Sequence, residues 1–79
     1  MSFTLDLVVK RAERAFERVV GLAGRRGYEI VAVSATMNGD GSALRVRLTL
    51  VPRDENRSAR TLVRQLAKLV EVESVDIAS

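Results

Sequence analysis

The sequence predicts a small α+β domain in which two helices cover one face of a four-stranded sheet. Two observations carry this prediction. Four segments have the alternating or continuous apolar pattern of strands, and two segments repeat their apolar residues at helical spacing. Their order along the chain is β-α-β-β-α-β. With right-handed crossovers, this order gives an antiparallel sheet of order 4-1-3-2, the ferredoxin-like arrangement, as a single domain over residues 1–79.

The first strand and first helix are identified by a change of period. Residues 3–9 alternate, with Thr4 and Asp6 on the polar side, which predicts a strand with one buried face. From about residue 12 the apolar residues recur at helical spacing. Gly27 is the better candidate for the left-handed residue that ends this helix. The strand's buried face comprises Phe3, Leu5, Leu7 and Val9, and the helix's buried face comprises Ala12, Phe16, Val19, Val20 and Ala23.

The second and third strands form a predicted hairpin. The segment 28–37, YEIVAVSATM, is apolar on both faces, and the turn residues at 38–41 follow it. The third strand alternates over 43–51 and ends at Pro52, which cannot continue a ladder.

The second helix and the last strand complete the pattern. Asp54, Glu55 and Asn56 offer helix caps. The predicted inner stripe of the helix is Leu62, Val63, Leu66, Leu69 and Val70, and its outer ridge is Arg57, Arg60, Arg64 and Lys68. A short final strand alternates through residues 75–77.

The segment 28–37 falls at an edge of the predicted sheet. An edge strand that is apolar on both faces invites aggregation unless another chain covers it. We therefore predict a homodimer in which this strand pairs with its copy about a twofold axis. In the alternative, the small residues of this strand tolerate exposure. The predicted interface residues are Tyr28, Ile30, Val31, Val33 and Ala35.

Composition excludes several kinds of chemistry. The chain has no cysteine and no histidine, so disulfides, thiol nucleophiles, Cys/His zinc sites and imidazole acid–base catalysis are absent. No metal site and no catalytic residues are predicted. No apolar run approaches the roughly 20 residues of a membrane helix, and Met1 leads directly into the first strand. We expect a cytoplasmic protein without a membrane partner.

The net charge of +3, with 11 of the 13 basic residues arginine, raises the question of nucleic acid. The outward positions of the central strands carry no aromatic residue for base stacking, so nucleic acid is not a predicted partner. The arginine-rich outer faces of the two helices predict a solvated surface interleaved with Glu13 and Glu17. Contact with an acidic protein or with phosphate remains open.

Two motifs resemble a known family. RVVGLAGRRGYEI at 18–30 and QLAKLVEVESV at 65–75 are similar to ACT domains, and specifically to the small regulatory subunit of acetolactate synthase. Family members carry these as R-V-x-G-L-x-x-x-R-G-Y-x-I and Q-L-x-K-L-V-x-V. The resemblance implies a non-catalytic regulatory subunit in branched-chain amino-acid biosynthesis. Its partners would be the large catalytic subunit and a second copy of itself, and the large subunit would hold the cofactors, with none on this chain.

The effector site is where the sequence departs from that family. Valine-binding relatives place Asn-x-x-Gly between the first strand and first helix, and Asn after Gly-Tyr. The equivalents here are Arg11, Ala12, Arg14 and Glu29. An arginine in place of glycine blocks close backbone approach, and Glu29 would repel a carboxylate. We therefore expect a degraded site, as in the short valine-insensitive type of small subunit. The alternatives are a remodelled pocket for an anionic effector, or an ACT module that senses a small molecule for a different partner.

Overall fold

The computed structural model describes residues 1–78 and contains the six elements in the expected order. The strands are β1 (Phe3–Lys10), β2 (Tyr28–Met37), β3 (Ala43–Pro52) and β4 (Val72–Ile77). The helices are α1 (Ala15–Arg25) and α2 (Ala59–Leu66). The sheet is antiparallel with the order β2-β3-β1-β4, which confirms the predicted order 4-1-3-2.

The core lies between the sheet and the two helices. The alternating residues of β1 and β3 meet there, with Leu5 opposite Leu48 and Leu7 opposite Val46. The helices contribute Val19 and Leu62 among their fully buried residues. Nearly all of these side chains are aliphatic. The only aromatic pair in the described chain joins buried Tyr28 to the partly buried Phe3, which meet edge to face at 5.9 Å between ring centroids.

A β-bulge in β2 changes which residues of that strand face the core. Ile30 lies opposite Leu50, but the next pair is Ala32 with Thr49, so Val31 is an extra residue. After the bulge, Val33 and the alternate residues that follow it share the helix-covered face with Ile30. The expectation of two apolar faces is therefore wrong. The bulge shifts the alternation by one residue and leaves β2 with one apolar face and one mainly polar face.

Both helices begin later than the sequence predicts. α1 starts at Ala15 and not near residue 12, because Arg14 has a left-handed backbone conformation that a helix cannot contain. The cap of α2 is Ser58, whose side-chain oxygen accepts a hydrogen bond from the Thr61 backbone N–H at 3.1 Å. Asp54 instead organises the preceding turn, where it accepts from the Asn56 N–H at 2.9 Å.

The C-terminal end of α2 is also shorter than predicted. The helix ends at Leu66, so Lys68, Leu69 and Val70 lie beyond it, and Arg57 lies before its start at Ala59. Leu69 still packs against the core, but Val70 is 74% exposed and does not belong to the inner stripe. Over residues 1–78, neither helix combines the length and the apolar character that crossing a bilayer requires.

Candidate functional site

The turn between β1 and α1 is an exposed, basic connection fixed by its backbone. The Lys10 N–H donates to the Glu71 carbonyl at 2.7 Å, and the Arg11 N–H donates to the Ser42 carbonyl at 3.1 Å. The Arg11 guanidinium also reaches the β2–β3 turn, where Nη1 donates to the Gly41 carbonyl oxygen at 3.4 Å. These contacts place the turn beside the hairpin at the end of the sheet where β2 terminates.

Arg14 occupies a backbone conformation that favours glycine. Its φ is 64° and its ψ is 12°, and it is the only described non-glycine residue with positive φ. It sits at the N-cap position of α1, where no side chain makes a capping hydrogen bond. A residue with a Cβ in this region costs about 1 kcal/mol or more. The turn therefore has the backbone shape of a glycine turn while carrying an arginine.

Glu29 lies at the opposite end of the sheet from the two arginines. It is exposed and pairs with Val51 near the end of β3, whereas Arg11 contacts the hairpin that follows Met37. Eight residues of extended strand separate Glu29 from Met37, about 27 Å. Within one chain, the structure does not bring Glu29 together with Arg11, Ala12 and Arg14.

The edge strand β2 exposes an apolar strip beside this turn. Val33, Ala35 and Met37 share the face of the core, but the helices leave this end of the strand uncovered. Val33 is 44% exposed and Met37 is 45% exposed, and Val31 at the bulge is 53% exposed. Of the predicted interface residues, Tyr28 is the exception: its ring is buried in the core of its own chain, with only 2% exposed.

The helix-free face of the sheet carries a shallow polar groove of about 640 Å³. Asp6 and Arg47 form a two-point ion pair across it, with Nε–Oδ1 at 2.8 Å and Nη2–Oδ2 at 3.1 Å. The hydrogen bond from Arg47 lowers the pKa of Asp6. Arg45 and Asp76 also line the groove. Asp6 and Arg47 therefore neutralise each other, whereas Arg45 and Asp76 form no ion pair among the described residues.

Sequence reasoning missed how these parts are arranged. It identified the residues of the turn, Glu29 and the edge strand, but not the distance between them or the bulge. Signals for the bulge are weak, because an extra residue in an apolar strand leaves the composition unchanged. The positive φ of Arg14 had one indirect signal, the glycine that the resembling family carries at that position.

A family model described as the ACT domain matches residues 3–75. The chain belongs to the ACT domain family. ACT domains are regulatory modules that sense small ligands. None of the described residues forms a cluster of three or more acidic side chains that could hold a metal ion.

Solved structures with the same fold come from several different proteins. The ACT domain of GTP pyrophosphokinase from Chlorobium tepidum superimposes with a TM-score of 0.77 at 14% identity, over 98% of this chain and 96% of that one. Formyltetrahydrofolate deformylase from Burkholderia mallei matches with a TM-score of 0.69 at 18% identity, over 96% of this chain but 28% of that one. The C-terminal domain of MgtC from Mycobacterium tuberculosis matches with a TM-score of 0.66 at 13% identity, over 96% and 83%. At these identities the likeness shows the fold alone.

Proposed function

We propose that this ACT domain is the regulatory small subunit of an acetolactate synthase, and that it activates the large catalytic subunit without conferring valine inhibition. The large subunit would carry the thiamine-diphosphate chemistry and its cofactors. The chain itself would contribute a docking surface and a twofold dimer. The proposal starts from the two motifs at 18–30 and 65–75, which resemble that subunit over most of the chain.

The backbone of Arg14 is the observation that carries the proposal. In the resembling subunits a glycine stands at this position, and here the backbone has the φ of 64° that glycine adopts freely. Gly27 in the Arg-Gly-Tyr motif has a φ of 92°, which likewise requires its glycine. Arg14 and Gly27 therefore both have backbone conformations that glycine adopts freely, although position 14 carries an arginine.

Pairing of two chains would assemble the dispersed site residues. Suppose that β2 pairs antiparallel with its copy and that the twofold axis passes near Val33. Each residue of β2 then lies opposite the partner residue at about the same distance on the other side of Val33, so the two residue numbers add up to about 66. Glu29 of the partner subunit then lies beside Met37, close to the hairpin that Arg11 contacts. The same pairing covers the exposed apolar strip on β2. Within one chain the two halves of the effector site lie about 27 Å apart along β2, and in the dimer each half would meet the other half from the partner.

The side chains at this assembled site oppose valine binding. A glycine at position 14 would let an effector carboxylate approach the start of α1, and the arginine side chain occupies that space. Glu29 of the partner subunit adds a negative charge that repels the same carboxylate. We therefore expect the valine response to be lost while the dimer and the docking function remain.

The test is acetolactate formation by the cognate large subunit, alone and after mixing with this chain, with and without valine. We expect a higher rate on mixing and no inhibition by valine. Heat-denatured chain serves as the control for a non-specific protein effect. No increase in rate with native chain would contradict the proposal, and inhibition by valine would contradict the assignment of Arg11, Arg14 and Glu29 as a degraded site.

A second candidate function rests on the two arginines themselves. Arg11 and Arg14 are both exposed at one turn and have no carboxylate partner within 4 Å among the described residues. An anionic effector would find two guanidinium groups there. In that case the chain would serve a different partner as a sensor, and a carboxylate-rich metabolite would raise its melting temperature.

A further inference from the structure

We propose that a second pocket, at the end of the domain opposite the β1–α1 turn, binds the phosphate group of a small molecule. The pocket has a volume of about 260 Å³ and lies between the C-terminal end of α1 and the segment that leads into α2. It shares no residue with the effector site described above. The inference goes beyond the regulatory function proposed here and does not depend on it.

Three arginines surround this pocket. Arg25 ends α1, Arg26 is its C-cap residue, and Arg57 immediately precedes the Ser58 cap of α2. Each guanidinium has five N–H donors in a planar fork that matches phosphate oxygens. Among the described residues no carboxylate lines the pocket, and the one ion pair made by these arginines joins Arg57 Nε to Asp54 Oδ2 at 3.3 Å. The rim therefore has an excess of positive charge and of unused donors.

The Arg57 side chain packs against the backbone of Gly27. Its side chain lies on Gly27, where a Cβ atom would collide with the guanidinium nitrogen and the adjacent carbons. Gly27 is required for its φ of 92°, and its missing Cβ leaves room for Arg57 in this conformation. The side chain of Arg57 is 43% exposed, so its guanidinium is accessible to an anion in the pocket.

The floor of the pocket is rigid. Tyr28 is buried, and its hydroxyl donates to the Ser58 carbonyl at 2.7 Å, which ties the start of β2 to the start of α2. Ser58 in turn caps the helix through the Thr61 N–H. The pocket therefore includes the N-terminal turn of α2, whose partial positive charge adds to that of the arginines.

Gln65 contributes a hydrogen-bond acceptor, whereas the arginines contribute donors. It lines the same pocket, and its side-chain oxygen is buried without a hydrogen-bond partner. An unpaired buried acceptor is costly and calls for a donor. A phosphate ester offers phosphoryl oxygens to the arginines, and the Gln65 side chain lines the pocket beside them. The small volume favours a phosphate group with a few further atoms over a large ligand.

The test is an NMR titration of the isotopically labelled chain with inorganic phosphate and, separately, with glycerol phosphate, at constant ionic strength. We expect saturable shifts at the amides of Arg26, Arg57 and Thr61. Tighter binding of glycerol phosphate would identify an ester as the ligand class, and equal binding would identify free phosphate. Non-saturable shifts, or shifts of equal size at Arg11 and Arg14, would overturn the proposal.

Variants separate the pocket from general charge effects. The double substitution Arg25→Gln and Arg26→Gln should weaken binding about tenfold or more, because a charge-assisted hydrogen bond contributes about a factor of ten or greater. The charge-matched control is the double substitution Arg45→Gln and Lys68→Gln, at exposed positions outside the pocket, which should leave affinity unchanged. Equal losses in both variants would contradict the site. If the pocket variant fails to fold, the map of shifts in the unmodified chain decides the question.

Discussion

At the scale of single residues, Arg14 has a backbone conformation that favours glycine. Glycine adopts its φ of 64° freely, but a residue with a Cβ atom is strained there. The substitution Arg14→Gly should raise the free energy of unfolding by about 1 kcal/mol, because the relief of strain exceeds the extra entropy of the unfolded glycine chain. Urea denaturation measures this. Arg14→Ala removes the same charge but keeps the strain, so an equal gain in both variants would contradict the explanation.

Tyr28 is the second residue with a measurable consequence, because its phenol is buried in the folded chain. Burial raises the pKa of Tyr28, an effect to which the negative charge of Asp54 adds and which Arg57 opposes. Since the folded pKa lies above the unfolded one, the stability that depends on the neutral phenol is fully present below the unfolded pKa of about 10. It is lost as the pH rises through the folded pKa.

The substitution Tyr28→Phe tests this assignment directly, since the chain has one tyrosine. At neutral pH the variant should lose about 1 kcal/mol, the net value of the hydrogen bond to Ser58. Above pH 10 its stability should fall less steeply than that of the parent chain. The measurement is urea denaturation from pH 8 to about 11. Parallel curves for the two chains would show that Tyr28 does not titrate as proposed.

At the scale of elements, the sequence predicts strands and helices from apolar patterns that repeat over several residues, but it misses features that depend on a single residue. The alternation in β1 and β3 and the helical spacing of Val19 and Leu62 each involve several residues, so the pattern survives single exceptions. The bulge at Val31 depends on one residue and on strand pairing that lies 20 residues away along the chain. The apolar pattern of the sequence therefore predicts the strand order of the sheet correctly, but it does not predict which β2 side chains point to the core.

Helix ends show the same difference between repeated and local signals. Three polar residues at 54–56 were candidate caps, but the tether from Tyr28 to Ser58 positions the start of α2 four residues later than Asp54. That tether is a tertiary contact, which sequence spacing does not encode. Similarly, the left-handed conformation of Arg14 delays α1 because the turn must join the Ser42 backbone before the helix begins.

At the scale of the whole molecule, the candidate site is divided between the two ends of one edge strand. The residues themselves could be identified from sequence, through the resemblance that marks Arg11, Arg14 and Glu29. Their separation could not, because it follows from the register of β2 with β3. The proposed effector site therefore requires a twofold pairing of β2, which would join the two ends and cover Val33 and Met37.

This pairing can be measured by disulfide cross-linking, because the chain contains no native cysteine. Single cysteines at Ala32, Val33 and Ser34 sample the centre of β2, where the Cα atoms of paired antiparallel strands lie about 4.5–5.5 Å apart and allow a disulfide. Glu29→Cys is the control on the same strand, since its copy would lie about 27 Å away. Glu73→Cys is the control on the other edge strand, β4.

We predict that mild oxidation produces covalent dimers from at least one central variant and not from Glu29→Cys or Glu73→Cys. Mixing Glu29→Cys with Thr36→Cys, whose side chains both point to the helix-free face, should produce a cross-linked heterodimer that brings the two halves of the proposed effector site together. Absence of cross-links at all three central positions, or equally efficient cross-linking through β4, would contradict the dimer on which the account of this regulatory domain rests.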